Sequence, residues 1–217
     1  MHLVHDAQNL QTGAPRVAAW LHRLSGVPDR LRASEYLSVG VSARFRAQQR
    51  RRTVAATGAR NRLRFAEDLR TVRARMNRLG EAQGLITFDL DRFKLINDER
   101  GHLAGDEVLK VVVQAVRRTI RADDEVYRFG GEEFLVLVRV QDEAGMRSAG
   151  ERLRQVIADL GIAHPGNTPH GIVTVSLGAV LMTGDDLGSS DDEWLARADL
   201  ALYEAKSGGR NRLVVAA

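Results

Sequence analysis

Tyr127-Arg128-Phe129-Gly130-Gly131-Glu132-Glu133-Phe134 sets two glycines and two carboxylates between runs of strand-forming residues, Glu125 to Phe129 before them and Phe134 to Val138 after. A Gly-Gly pair between such runs predicts a hairpin with the acids at its turn. Turns ordinarily carry solvated charge, and alone Glu132 and Glu133 would read as nothing more. A second acidic cluster changes that reading. Asp89-Leu90-Asp91-Arg92-Phe93-Lys94 follows the apolar run Leu85 to Phe88 and so falls at the carboxyl end of another strand. Carboxylates from two strands with a lysine nearby make a donor set for a divalent cation and phosphate.

Working outward, Leu63, Phe65, Leu69, Val72, Met76 and Leu79 recur at spacings of mostly three and four, which predicts an amphipathic core helix over Asn61 to Leu79. A short helical turn is expected near Phe93 to Asp98. A long helix from about Ala104 to Arg121 carries Val108, Leu109, Val112, Val113, Val116 and Ile120 as one stripe. Beyond the hairpin come a helix near Asp142 to Leu160 and an alternating strand from Ile172 to Met182. A helix from Asp191 to Lys206 follows, its acidic first turn suited to the helix dipole, and then a closing strand from Arg212 to Val215. Strands and helices interleaved around one hairpin predict an α+β sandwich with helices over a mainly antiparallel sheet.

The 217 residues are 44% apolar, ordinary for one globular core with an appendage. No cysteine is present, so disulfides and thiolate metal sites are excluded. No apolar run approaches the ~18 residues that span a bilayer and the start lacks a signal peptide's apolar region, so a cytoplasmic protein is expected. The net charge of +4 is uneven: residues 1–80 hold 16 arginines and 5 acids, residues 81–217 hold 16 basic and 23 acidic residues. Arg50-Arg51-Arg52 lacks interleaved aromatics, so nucleic acid is not the expected partner. From Leu31 to Arg52 a helix is expected that would serve as a stalk to a dimer partner.

Gly130 to Phe134, read as GGEEF, resembles the signature of the GGDEF family of diguanylate cyclases, which accepts Asp or Glu at the third place. Asp89 to Asp98, Gly101-His102, Gly105-Asp106-Glu107 and Ala205 to Asn211 match the same family in order and spacing. Residues 1–55 lie outside the resemblance and read as a helical or linker segment, with 56–217 as the cyclase domain. The chain departs from the family at its opening tract, where Val54 replaces an aspartate and Ala56 and Ala59 replace leucines.

The resemblance implies a palm-like fold, GTP as substrate, cyclic di-GMP as product, and Mg²⁺ or Mn²⁺ held by Asp89, Glu132 and the Leu90 carbonyl. It makes Glu132 the proton acceptor, with Glu133 a second contributor, and assigns Lys94, Lys206 and Arg210 to phosphates. Lys94 and Lys206 are two of only three lysines beside 29 arginines, a placement that suggests a need for a compact ammonium. Asn97 and Asp106 match guanine contacts; a carboxylate accepts from guanine N1–H and the exocyclic amine, which adenine does not supply. His102 matches a substrate-lining position, Leu109 is a candidate to pack on the base, and bare backbone at Gly130 and Gly131 lets a nucleotide approach. Arg121, Asp124 and Arg152 match a product-binding site that feeds back on turnover. The bland reading of Arg121 and Asp124 is a helix-end salt bridge before a turn. The alternative function is a catalytically silent cyclic di-GMP receptor using those three residues.

Overall fold

The computed structural model describes residues 57–216. The stalk expected within residues 1–55 lies outside them. Six strands form one sheet: β1 (Arg60–Asn61), β2 (Gln83–Leu90), β3 (Glu125–Arg128), β4 (Glu133–Arg139), β5 (Val175–Met182) and β6 (Leu213–Val215), in the order β1-β3-β4-β2-β5-β6. The four central strands pair antiparallel, while the edge strands β1 and β6 pair parallel to β3 and β5. The helices are α1 (Arg62–Leu79), α2 (Phe93–Arg100), α3 (His102–Thr119), α4 (Glu143–Ala158) and α5 (Asp191–Ser207). This is the expected α+β sandwich.

Local signals account for most boundaries. Asn61 caps α1, its side chain accepting from the Arg64 amide at 3.0 Å, and Gly80 closes that helix in the left-handed region. Asp142 and Ser190 cap α4 and α5, and Ser190 and Glu193 form a capping box. Ile86, Phe88, Val136 and Leu177 share one core with Val112, Val116, Met146 and Leu153 from α3 and α4. Phe88 and Phe134 are register partners and stack with ring centroids 5.1 Å apart.

Three expectations need correction. Leu63 and Leu79 are 46% and 56% exposed, so the buried face of α1 is Phe65, Leu69, Val72 and Met76. Leu63 lies two residues from Phe65, about 200° around the helix, and Leu79 ends the helix at an open cleft. The strand expected from Ile172 with alternating burial starts at Val175 and is buried almost throughout, because helices cover both faces of the sheet there. Ile172 instead makes an isolated bridge with Ala163. The long helix is set two residues earlier than expected, beginning at His102 and ending at Thr119, which places His102 within it and Arg121 beyond it.

Candidate active site

The register of the sheet assembles the carboxylates. Asp89, at the end of the central strand β2, lies opposite Glu133 on β4 and Ser176 on β5, and Glu132 precedes Glu133 at the hairpin turn. Asp89 is buried, and Lys206 from the last turn of α5 donates from Nζ to its Oδ1 at 2.9 Å. Burial pushes the Asp89 carboxyl up to about 6; Lys206 opposes the rise, and the nearby Glu132 and Glu133 charges add to it. Burial and two like charges therefore outweigh the lysine, leaving a centre of hard oxygens with surplus negative charge. That is the chemistry of a divalent-cation site, and the residues fit one. Among the described residues no three or more His, Cys, Asp or Glu side chains close around a point. An ion on two carboxylates and a carbonyl would keep coordination positions for water and phosphate oxygens.

The turn itself differs from the hairpin that Gly-Gly suggests. Neither Gly130 nor Gly131 has a positive φ, so this is not the mirror-image two-residue turn; four residues, 129–132, connect the strands. A Cβ at Gly130 would crowd only the movable tip of the Glu133 side chain, Oε2 at 2.8 Å, and a Cβ at Gly131 would meet nothing within 4 Å, so packing within the chain requires neither glycine. Arg128 clasps the turn, Nη2 donating to the Gly131 carbonyl at 2.8 Å and Nε to the Gly130 and Gly131 carbonyls at 3.3 and 3.2 Å. Burial holds its guanidinium pKa below the usual value, although the charges of Asp106 and Glu132 act the other way. Arg128 thus braces the acidic turn from the end of β3, a role the sequence reading missed.

The other candidates are placed as follows. Lys94 and Asn97 lie on α2, and His102 and Asp106 on the first turns of α3, with Lys94, His102 and Asp106 exposed. Gly105 allows the two helices to meet: a Cβ there would lie 2.0 Å from Asn97 Oδ1. Leu109 is 1% exposed within the core and presents no open face. Arg210 follows α5 in a left-handed turn, φ +64, with Asn211 at φ +44. Such backbone costs about 1–2 kcal/mol for a residue with a Cβ.

Arg121, Asp124 and Arg152 converge elsewhere, on an open cleft of about 750 Å³ also lined by Asp123, Arg139 and Ser148. Asp124 does not pair with the Arg121 guanidinium in the way a helix-end salt bridge would. Its Oδ2 accepts from the Arg121 amide at 2.9 Å and its Oδ1 from the Arg139 amide at 2.8 Å. The Arg121 and Arg152 side chains remain exposed at the cleft.

Asp91 is the least expected member of the region. The two-residue period of a strand puts it on the same face as Asp89, so sequence alone cannot separate their roles. The strand ends at Leu90, and Asp91 turns toward β5, where Ser176 and Thr174 donate their hydroxyls at 2.6 and 2.7 Å. Asn167 extends the network by donating to Thr174 Oγ1 at 2.9 Å.

A mainly antiparallel sheet with acids at the end of its central strand and at the neighbouring turn defines a palm-like α+β domain with an acidic centre. The family model "Diguanylate cyclase, GGDEF domain" matches residues 55–212, and the chain belongs to that family. It is 38% identical over 195 residues to the diguanylate cyclase DgcP of Pseudomonas aeruginosa, covering 89% of this chain and 28% of that protein. Its fold is similar to the GGDEF domain of DgcB from Caulobacter crescentus, crystallised in complex with c-di-GMP. The TM-score is 0.65 at 30% identity, over 74% of this chain and 92% of that one. It is also similar to the active GGEEF domain of a diguanylate cyclase from Vibrio cholerae, with TM-score 0.62 at 31% identity, over 72% and 97%. The chain spans 28% to 42% of the first four curated relatives it matches.

Proposed function

We propose that this domain condenses two GTP molecules into cyclic di-GMP with release of pyrophosphate. The observation that carries the reading is the β2–β4 register, which sets Asp89 opposite Glu133 with Glu132 adjacent. Mg²⁺ or Mn²⁺ held by Asp89, Glu132 and the Leu90 carbonyl would lower the pKa of a 3′-hydroxyl and neutralise phosphate charge. Glu132 takes the hydroxyl proton as its oxygen bonds to the α-phosphorus of the second GTP; the bond to the bridging oxygen breaks and pyrophosphate leaves. Glu133 supports the acidic turn, Lys94, Lys206 and Arg210 hold phosphates, and Gly130 and Gly131 admit the nucleotide. Asn97 and Asp106 read guanine, with His102 beside them; Leu109 acts from the core beneath rather than by stacking.

A second such step closes the ring. Among the described residues the chain carries one such centre, and the product is symmetric, so in this reading two chains related by a two-fold axis face each other. In this reading residues 56–217 are the cyclase domain, residues 1–55 a segment that favours pairing, and the reaction is cytoplasmic, where GTP resides. The cleft at Arg121, Asp124 and Arg152, which includes none of the acidic-turn residues, supports product binding and feedback inhibition. The same cleft would serve a silent receptor for cyclic di-GMP.

Incubation with GTP and Mg²⁺ or Mn²⁺, with the product identified by mass spectrometry, separates the two. Cyclic di-GMP is the expected product; binding of cyclic di-GMP without turnover would establish the receptor instead.

A further inference from the structure

The turn that presents Arg210 is strained and held from outside. Gly209, Arg210 and Asn211 take φ of +118, +64 and +44, so two consecutive residues with side chains sit in the left-handed region. Asn211 is gripped from both sides. Its amide donates to Asp91 Oδ2 at 3.1 Å, and its Oδ1 accepts from Arg154 Nη1 at 2.8 Å. Asp91 is 1% exposed and fixed by the Thr174 and Ser176 hydroxyls. Arg154, on α4, is itself oriented by Glu151, which accepts from Nε and Nη2 at 2.8 and 2.6 Å. Arg210 in turn donates its amide to the Ala205 carbonyl at 3.0 Å, next to Lys206.

We propose that Asp91 and Arg154 are positioning residues that clamp Asn211 and thereby hold Arg210 in the conformation that receives the substrate's phosphates. The inference rests on the GTP-binding reading above. Asp91 is on this account a carboxylate committed to protein donors, with no share in a metal site, despite lying two residues from Asp89. Arg154 acts through Asn211 and touches no substrate. On this account Arg210 receives the phosphates that GTP has and GMP lacks, so loss of the clamp weakens GTP and leaves recognition of the base, and with it GMP binding, untouched.

Binding of GTP and of GMP to the full chain, measured by calorimetry, tests this. Arg154→Ala is expected to weaken GTP binding about tenfold, the scale of one charge-assisted contact, and GMP binding less than twofold. Arg210→Ala should give the same pattern, and the double variant should be no worse than either alone. Asn211→Asp, which keeps an acceptor for Arg154 and tolerates the left-handed backbone, should bind GTP within about threefold of the parent. Equal loss of GTP and GMP, or additive loss in the double variant, would overturn the clamp while leaving GTP binding intact. Failure of the parent chain to bind GTP at all would overturn the functional reading and the clamp together. Asp91→Asn provides a second route: it should reproduce the selective loss of GTP binding, and unchanged GTP affinity in a folded Asp91→Asn protein would remove Asp91 from the clamp.

Discussion

Lys206 Nζ lies 2.9 Å from Asp89 Oδ1, joining the last turn of α5 to the end of the central strand. A cation from one face of the sheet thus meets a carboxylate that burial first, and then two glutamates at the neighbouring turn, push toward protonation. The pair places at the acidic centre the lysine that the family resemblance assigns to phosphate.

Glu132→Gln and Asp89→Asn should each lower product formation at least a hundredfold, because each removes a ligand charge without changing side-chain volume. Circular dichroism and melting temperature should stay near the parent values. Near-normal turnover in either folded variant would dismantle the proposed centre.

Gly105→Ala tests the contact between α2 and α3. Alanine is the better helix former by about 1 kcal/mol, yet its Cβ would lie 2.0 Å from Asn97 Oδ1. KM for GTP should rise about tenfold, as expected for a displaced polar contact, with the helix content retained. An unchanged KM would mean that Asn97 does not need its observed position.

At the cleft, Arg121→Ala and Asp124→Ala should part company. Asp124 accepts two backbone amides, so its removal should cost about 1–3 kcal/mol and lower the melting temperature by several degrees. The exposed Arg121 side chain should cost almost nothing in stability. Both should weaken inhibition by added cyclic di-GMP. Unchanged inhibition in Arg121→Ala would detach this cleft from feedback.

Asp186 provides a pH-dependent stability term. Burial alone would raise its pKa, but the Thr183 amide and hydroxyl and the Arg197 guanidinium outweigh that and hold it below the usual value. A depressed acid stabilises the fold above its unfolded pKa near 4, and the stabilisation is lost as pH falls through the lower folded value. Asp186→Asn should therefore lower stability by about 1 kcal/mol at pH 7, seen as a lower melting temperature. The difference should shrink towards zero as pH falls below that lower folded value. A gap that persists there would mean that charge is not the cause.

The hairpin, its acidic turn, the strand leading into Asp89 and the long apolar stripe of α3 could all be read in the chain itself, because strand alternation, helical periodicity and capping are written over a few residues. The family motifs are likewise contiguous, so Asp89, Glu132 and Asp106 stood out by their resemblance to that family. Other features came only from packing. Leu63 falls on the opposite side of α1 from Phe65, Leu69, Val72 and Met76, and Leu79 fits their spacing but misses the core, since a periodic pattern does not say where the neighbouring element stops. Asp91 shares a strand face with Asp89, yet its partners Thr174, Ser176 and Asn211 come from distant segments. Gly105 reads as a motif glycine until Asn97 is seen against it. Contacts of this kind depend on how whole elements pack and on the closure of the loops between them, and no local stretch of sequence encodes either.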